Sequence, residues 1–197
     1  MNESLHLTDR DAQPVADVAR SLGVSVEAVS LARSCELIDL HIDTFLPMRL
    51  IGYDPLVWHA GGPFGRHMFG HLDLPRARDG GLSGAMWSIT TNPARSVGGR
   101  WDAFLRNVAW LRDTVERSQG ALRLVRTCSE YRQARATGAI ALMLSIQGGH
   151  ALRGAPHGVA SVPDRLLTRV TLVHLTNSCY GATSCPFGKV RRDRGLT

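Results

Sequence analysis

Lysine is almost missing from this chain: Lys189 is the single lysine among 23 basic residues, the rest being arginines spread along 197 positions. With 17 acidic residues the formal net charge is +6, yet no basic stripe of the kind that follows a phosphate backbone is present. The short run Lys189, Arg191, Arg192 and Arg194 reads as a solvated segment, so nucleic acid is not an expected partner. Long apolar runs are missing as well; nothing approaches the roughly 18 residues of a membrane span, and no membrane partner is expected. The N-terminus MNESLHLTDRD is polar and acidic where a secretory leader has a basic stretch and then an apolar one. The four cysteines, Cys35, Cys128, Cys179 and Cys185, have no Cys-x-x-Cys spacing, which fits reduced thiols in a cytoplasmic protein. There is no Gly-x-Gly-x-x-Gly turn opening a helix and no P-loop, so nucleotide binding has no support. What is present, 44% hydrophobic and 20% charged residues, is ordinary for a soluble domain able to bury a sizeable core.

Residues 14 to 33 carry helical periodicity broken at Gly23, with Ser25 placed to cap a second piece. Two short amphipathic helices are expected there, as an appendage over residues 1–35. Residues 36 to 43 (ELIDLHID) read as a strand, and the Gly-, Pro- and aromatic-rich stretch from Pro47 to Pro75 as loop. A regular alternation follows: a strand over 83–90, a helix over 101–116 with Phe104, Leu105, Val108, Leu111 and Val115 near one face, and a short strand over 121–126. Next come a helix over 129–136 capped by Ser129, an apolar strand over 140–146 and another over 168–175. Near-continuous apolar strands alternating with helices indicate an α/β fold with a parallel sheet.

Parallel α/β folds place their sites at the C-terminal ends of strands. Three such ends carry polar groups: His41 and Asp43; Gln147 with His150 after two glycines; and His174. His-x-Asp on a strand puts imidazole and carboxylate on one face, where they serve either as metal ligands or as a hydrogen-bonded pair. A second copy, His71 and Asp73, falls in a proline-flanked loop where no strand would align the two. His150 reads as a loop residue satisfied by backbone. His174, ending TLVHLTN, is costly in a core unless paired or facing a cavity, which leaves function and structure both open.

The segments IDLHIDTFLP, HLDLPRARDGGLSGAMWSI, ALMLSIQGGHAL and RVTLVHLTNSC, in that order, resemble the membrane (renal) dipeptidase family, zinc peptidases built on an amidohydrolase-like (β/α)8 barrel. The resemblance implies hydrolysis of dipeptides or related small amides by a metal-activated water. It implies His41 and Asp43 as ligands of one zinc, position 147 as the carboxylate bridging a zinc pair, and His174 as a substrate contact that polarises the tetrahedral intermediate. His71 and Asp73 match no ligand. Two departures stand out. Gln147 replaces the bridging carboxylate, and an amide oxygen cannot neutralise two dications. A barrel of this type takes about 250 residues, so residues 36–197 are expected to form its N-terminal part, a partial (β/α)8 barrel of about five parallel strands. The missing later ligands imply either a missing C-terminal half or a second copy in a homo-oligomer, and little activity in the chain alone. A catalytically dead remnant, or a binding module of the same fold, is the alternative.

Overall fold

The structure, a computed structural model, describes residues 13–59 and 72–185; His71 and the basic run from Lys189 lie outside them. Helices α1 (Val15–Leu22) and α2 (Val26–Ser34) meet at Gly23, whose φ of 67° lets the chain reverse. The Ser25 hydroxyl accepts from Ala28 N at 3.1 Å, closing the first turn of α2. The pair buries Val18, Ala19 and Val29 in a small cluster of its own.

The remaining elements are β1 (Leu37–Ile42), α3 (Phe45–Ile51), α4 (Leu74–Asp79), β2 (Leu82–Thr90) and α5 (Val97–Arg117). They are followed by β3 (Leu122–Leu124), α6 (Cys128–Ala136), β4 (Ile140–Gln147) and, after three short 3-10 turns, β5 (Leu167–Thr171). All five strands are parallel and form one sheet. β2 pairs with β4 from Gly84↔Ala141 to Thr90↔Gln147. β3 takes only the start of the opposite edge of β4, up to Leu124↔Leu142, and β5 takes its end, from Leu144↔Leu167. The wall therefore runs β1-β2-β4-β5, with β3 beside the start of β4. This is an α/β sheet arranged as part of a barrel wall.

The period-two alternation of strands assigns the two faces. Ala85, Trp87 and Ile89 of β2 and Leu142, Leu144 and Ile146 of β4 are buried in one core with Phe104, Val108 and Leu111 of α5. The opposite face carries Gly84, Met86, Ser88 and Thr90 beside Ala141, Met143, Ser145 and Gln147. Its N-terminal end is closed by α6, whose Tyr131 ring lies where a Cβ on Gly84 would come within 3.1 Å. Toward the strand C-termini this face becomes polar.

Several boundaries differ from the sequence expectation. α5 begins at Val97 because the Ser96 hydroxyl accepts from Gly99 N at 3.1 Å, a cap that draws Gly98 and Gly99 into the helix. α6 is capped by Thr127 rather than Ser129: Thr127 Oγ1 accepts from Glu130 N at 3.2 Å, leaving Ser129 inside the first turn. The stretch expected as loop, Pro47 to Pro75, takes in most of α3 and the first two residues of α4. Pro47 sits in the first turn of α3, where its missing N–H costs nothing. β5 stops at Thr171 because β4, its partner, turns away at Gly148, where φ is 92°. His174 thus lies beyond the strand and not at its end.

Candidate functional site

The polar face is built in two levels set by register. In the lower level Ser88 of β2 pairs with Ser145 of β4, which pairs with Arg169 of β5. In the upper level Thr90 pairs with Gln147, and Gln147 with Thr171. His41 and Asp43, at and just past the end of β1, supply the fourth member of each level.

In the lower level the hydroxyls of Ser88 and Ser145 are 2.5 Å apart. Arg169 reaches over both: its Nη2 lies 3.1 Å from Ser88 Oγ, 3.2 Å from Ser145 Oγ and 2.8 Å from Nδ1 of His41. Its Nη1 donates to the Leu40 carbonyl on β1. A side chain of β5 thus bonds to β1 across the face, which requires the sheet to curl as a barrel wall does. The other ring nitrogen of His41, Nε2, lies 3.2 Å from Asp43 Oδ2.

In the upper level Thr90 Oγ1 donates to Gln147 Oε1 at 2.6 Å and lies 3.4 Å from Asp43 Oδ1. A hydroxyl has one proton, and it goes to the shorter contact. Asp39, one step down β1, accepts the backbone N–H of His41 at 2.9 Å. Arg49 of α3 donates to the Thr90 carbonyl at 2.8 Å. Burial holds its pKa below the ordinary arginine value, the charge of Arg95 adds to this, and Asp43 opposes it.

The structure thus brings His41, Asp43 and Gln147 together: His41 is bonded to Asp43, and Gln147 to the Thr90 hydroxyl that lies 3.4 Å from Asp43. His174 stands to one side with His150, both against Gly148: a Cβ there would meet His150 Nε2 at 3.1 Å and His174 Cβ at 3.4 Å. His150, read from sequence as an ordinary loop residue, is only 8% exposed. Burial lowers its pKa, and the nearby charges of Arg100 and His174 lower it further. Asp73 lies elsewhere and is wholly buried. Its carboxylate accepts from Arg76 N at 2.9 Å, Arg76 Nε at 2.7 Å and His59 N at 3.0 Å, a structural cap for α4.

Ser88, Thr90, Ser145 and Arg169 were not singled out from sequence. A signal existed: each sits two positions from a polar partner on the same face of its strand, as Ser88 does from Thr90 and Arg169 from Thr171.

A curled parallel sheet packed with helices, with polar side chains gathered at its C-terminal mouth, is the architecture of part of a (β/α) barrel. The chain belongs to the membrane dipeptidase family, peptidase family M19, whose model matches residues 26–197. Among solved structures it is similar to a dipeptidase AC, a metallopeptidase of family M19, with TM-score 0.62 and 21% identity over 76% of this chain and 46% of that one. It is also similar to a metallopeptidase from Rhodobacter sphaeroides liganded with a phosphinate mimic of the dipeptide L-Ala-D-Ala (TM-score 0.54, 20% identity, 75% of this chain and 48% of that one). An amidohydrolase from Pseudomonas aeruginosa matches with TM-score 0.57 and 19% identity over 85% of this chain and 41% of that one. The chain spans less than half the length of each of these structures.

A family of metallopeptidases raises the question of whether these side chains suit a metal pair. As arranged, they do not. Among the described residues no three His, Cys, Asp or Glu side chains group so as to hold an ion. Among the described residues the carboxylate bonded to the His41 ring is Asp43, with Asp39 held on the His41 backbone N–H; an amide at Gln147 and the guanidiniums of Arg169 and Arg49 share the mouth. Two dications call for anionic charge, and this mouth supplies little of it.

Proposed function

We propose that the chain is a dipeptidase-like metallohydrolase scaffold, built to present a small peptide or related amide at its C-terminal mouth, and that these 197 residues alone do not hydrolyse it. The observation that carries this reading is the hydrogen bond between Arg169 Nη2 and His41 Nδ1. It places a cation where a ligand histidine of a zinc site ordinarily has an acceptor behind it. Gln147 supports the reading, since its oxygen already accepts from Thr90 and carries no charge with which to bridge two zincs. His174, which stands to one side with His150 against Gly148, is the candidate substrate contact in this scheme.

A second reading is an active zinc hydrolase in which further ligands come from residues outside this chain or from another copy of it. The meeting of His41, Asp43 and Gln147 at one place favours it. Turnover of a simple dipeptide such as alanyl-alanine by the purified chain, with zinc added, separates the first reading from an active site completed by another copy of the chain. The first reading expects no release of alanine above the zinc-and-buffer rate. Hydrolysis that scales with chain concentration, and that is lost in His41→Ala, contradicts it.

A further inference from the structure

We infer that Arg169 is the specificity-determining residue of this mouth toward divalent cations: its guanidinium fixes the His41 imidazole in the tautomer that cannot ligate through Nε2. The inference rests on the reading above, that the chain holds zinc weakly, and names the residue responsible.

An arginine N–H only donates, and the two protons of Nη2 face three acceptors within 3.2 Å; the shortest contact, 2.8 Å to Nδ1 of His41, takes one of them, which places a lone pair on Nδ1. A neutral imidazole has a single lone-pair nitrogen, so the ring proton is on Nε2. That N–H points at Asp43 Oδ2, 3.2 Å away, and the carboxylate accepts it. The two groups expected to take one zinc are thereby closed on each other. To offer Nε2 to a metal, the ring must move its proton to Nδ1, which would then face the Arg169 N–H, donor against donor. Ser88 Oγ, 3.1 Å from Nδ1, could accept that proton only if Arg169 withdrew.

Arg169 is held against withdrawal. Register sets it beside Ser145 and, through Ser145, in line with Ser88. The Nη1 bond to the Leu40 carbonyl, and the two Nη2 protons shared among the His41 ring and the two serine hydroxyls, hold the guanidinium in place. Its positive charge also opposes a dication at the same ring, so tautomer and charge act in the same direction.

The test is the protonation pattern of the His41 ring in the 15N-labelled 197-residue chain, read by two-bond proton–nitrogen correlation and assigned by the signal lost in His41→Gln. The expected pattern is a protonated Nε2 and a bare Nδ1. Zinc affinity, measured by chelator competition, should rise at least about tenfold in Arg169→Met and in Arg169→Gln, as expected from removing a unit charge a few ångströms away. The ring pattern is read in the unaltered chain and does not depend on how well either variant folds. A protonated Nδ1 in the unaltered chain overturns the inference, as does unchanged zinc affinity in both folded variants. Weak zinc binding together with a protonated Nδ1 removes Arg169 from the account while leaving the proposed function standing. Tight zinc binding by the unaltered chain removes both.

Discussion

Arg169 on β5 and His41 on β1 lie at opposite ends of the four-strand wall, yet the guanidinium Nη2 is 2.8 Å from the imidazole Nδ1. The contact records the curl of the sheet and also sets the chemistry of the mouth, because the same side chain bonds Ser88 and Ser145 on the two strands between. Fold and site are therefore coupled through one residue.

Gln147→Glu, made alone, should not create a hydrolase. The new carboxylate would still receive the Thr90 hydroxyl, and Arg169 would still donate to His41. Dipeptide turnover with added zinc should stay at background, while the double change with Arg169→Met should gain more zinc affinity than the two single changes together, as groups facing one site commonly couple.

Asp73→Ala should destabilise the chain strongly without touching the mouth. It removes a wholly buried carboxylate that three donors share, leaving the Arg76 guanidinium without that acceptor. A loss of about 3 kcal/mol in urea unfolding is expected. A loss below about 1 kcal/mol would show that water replaces the cap freely.

Gly154 joins the turn after β4 to α5 at close quarters. A Cβ there would lie 2.6 Å from the Val97 carbonyl oxygen and 2.9 Å from Trp101 Cβ, both on α5. Gly154→Ala should therefore cost on the order of 1–3 kcal/mol, since backbone rather than a flexible side-chain tip must give way. Equal unfolding midpoints for the two proteins would contradict this packing.

His150 makes stability depend on pH in a direction fixed by its lowered pKa. Because the folded ring gives up its proton more readily than the unfolded one, the unfolded state binds more protons as pH falls through the ordinary histidine range. The contribution is fully present above the unfolded pKa and is lost as pH drops through the folded one. Urea midpoints from about pH 7 down to about pH 5 should fall more steeply for the unaltered chain than for His150→Gln. Parallel profiles would remove His150 as the source.

β2 and β4 were legible because each is a nearly unbroken apolar run, which a buried parallel sheet demands, whereas β1 and β5 carry Asp39, His41, Thr168 and Arg169 within them. Helix starts were less so. The cap that draws Gly98 and Gly99 into α5 belongs to Ser96, and that of α6 to Thr127, each outside the periodic pattern that marked the helix. The end of β5 could not be read from its own residues, since Leu172, Val173 and Leu175 are as apolar as a strand; the ladder ends where β4 turns at Gly148, after which Gly149 N makes one last bond, to the Leu172 carbonyl. At the mouth, the meeting of His41, Asp43 and Gln147 followed from their places at strand ends. Arg169 did not stand out among so many arginines, and its reach to β1 depends on sheet curvature, a property no single strand carries.

The most direct test of the central claim, that these side chains do not form a zinc pair, is the zinc content of the purified 197-residue chain after loading with zinc and dialysis against zinc-free buffer. The account predicts far less than one zinc per chain, with the same result for His41→Ala. Two zincs retained per chain, both lost in His41→Ala, would contradict it.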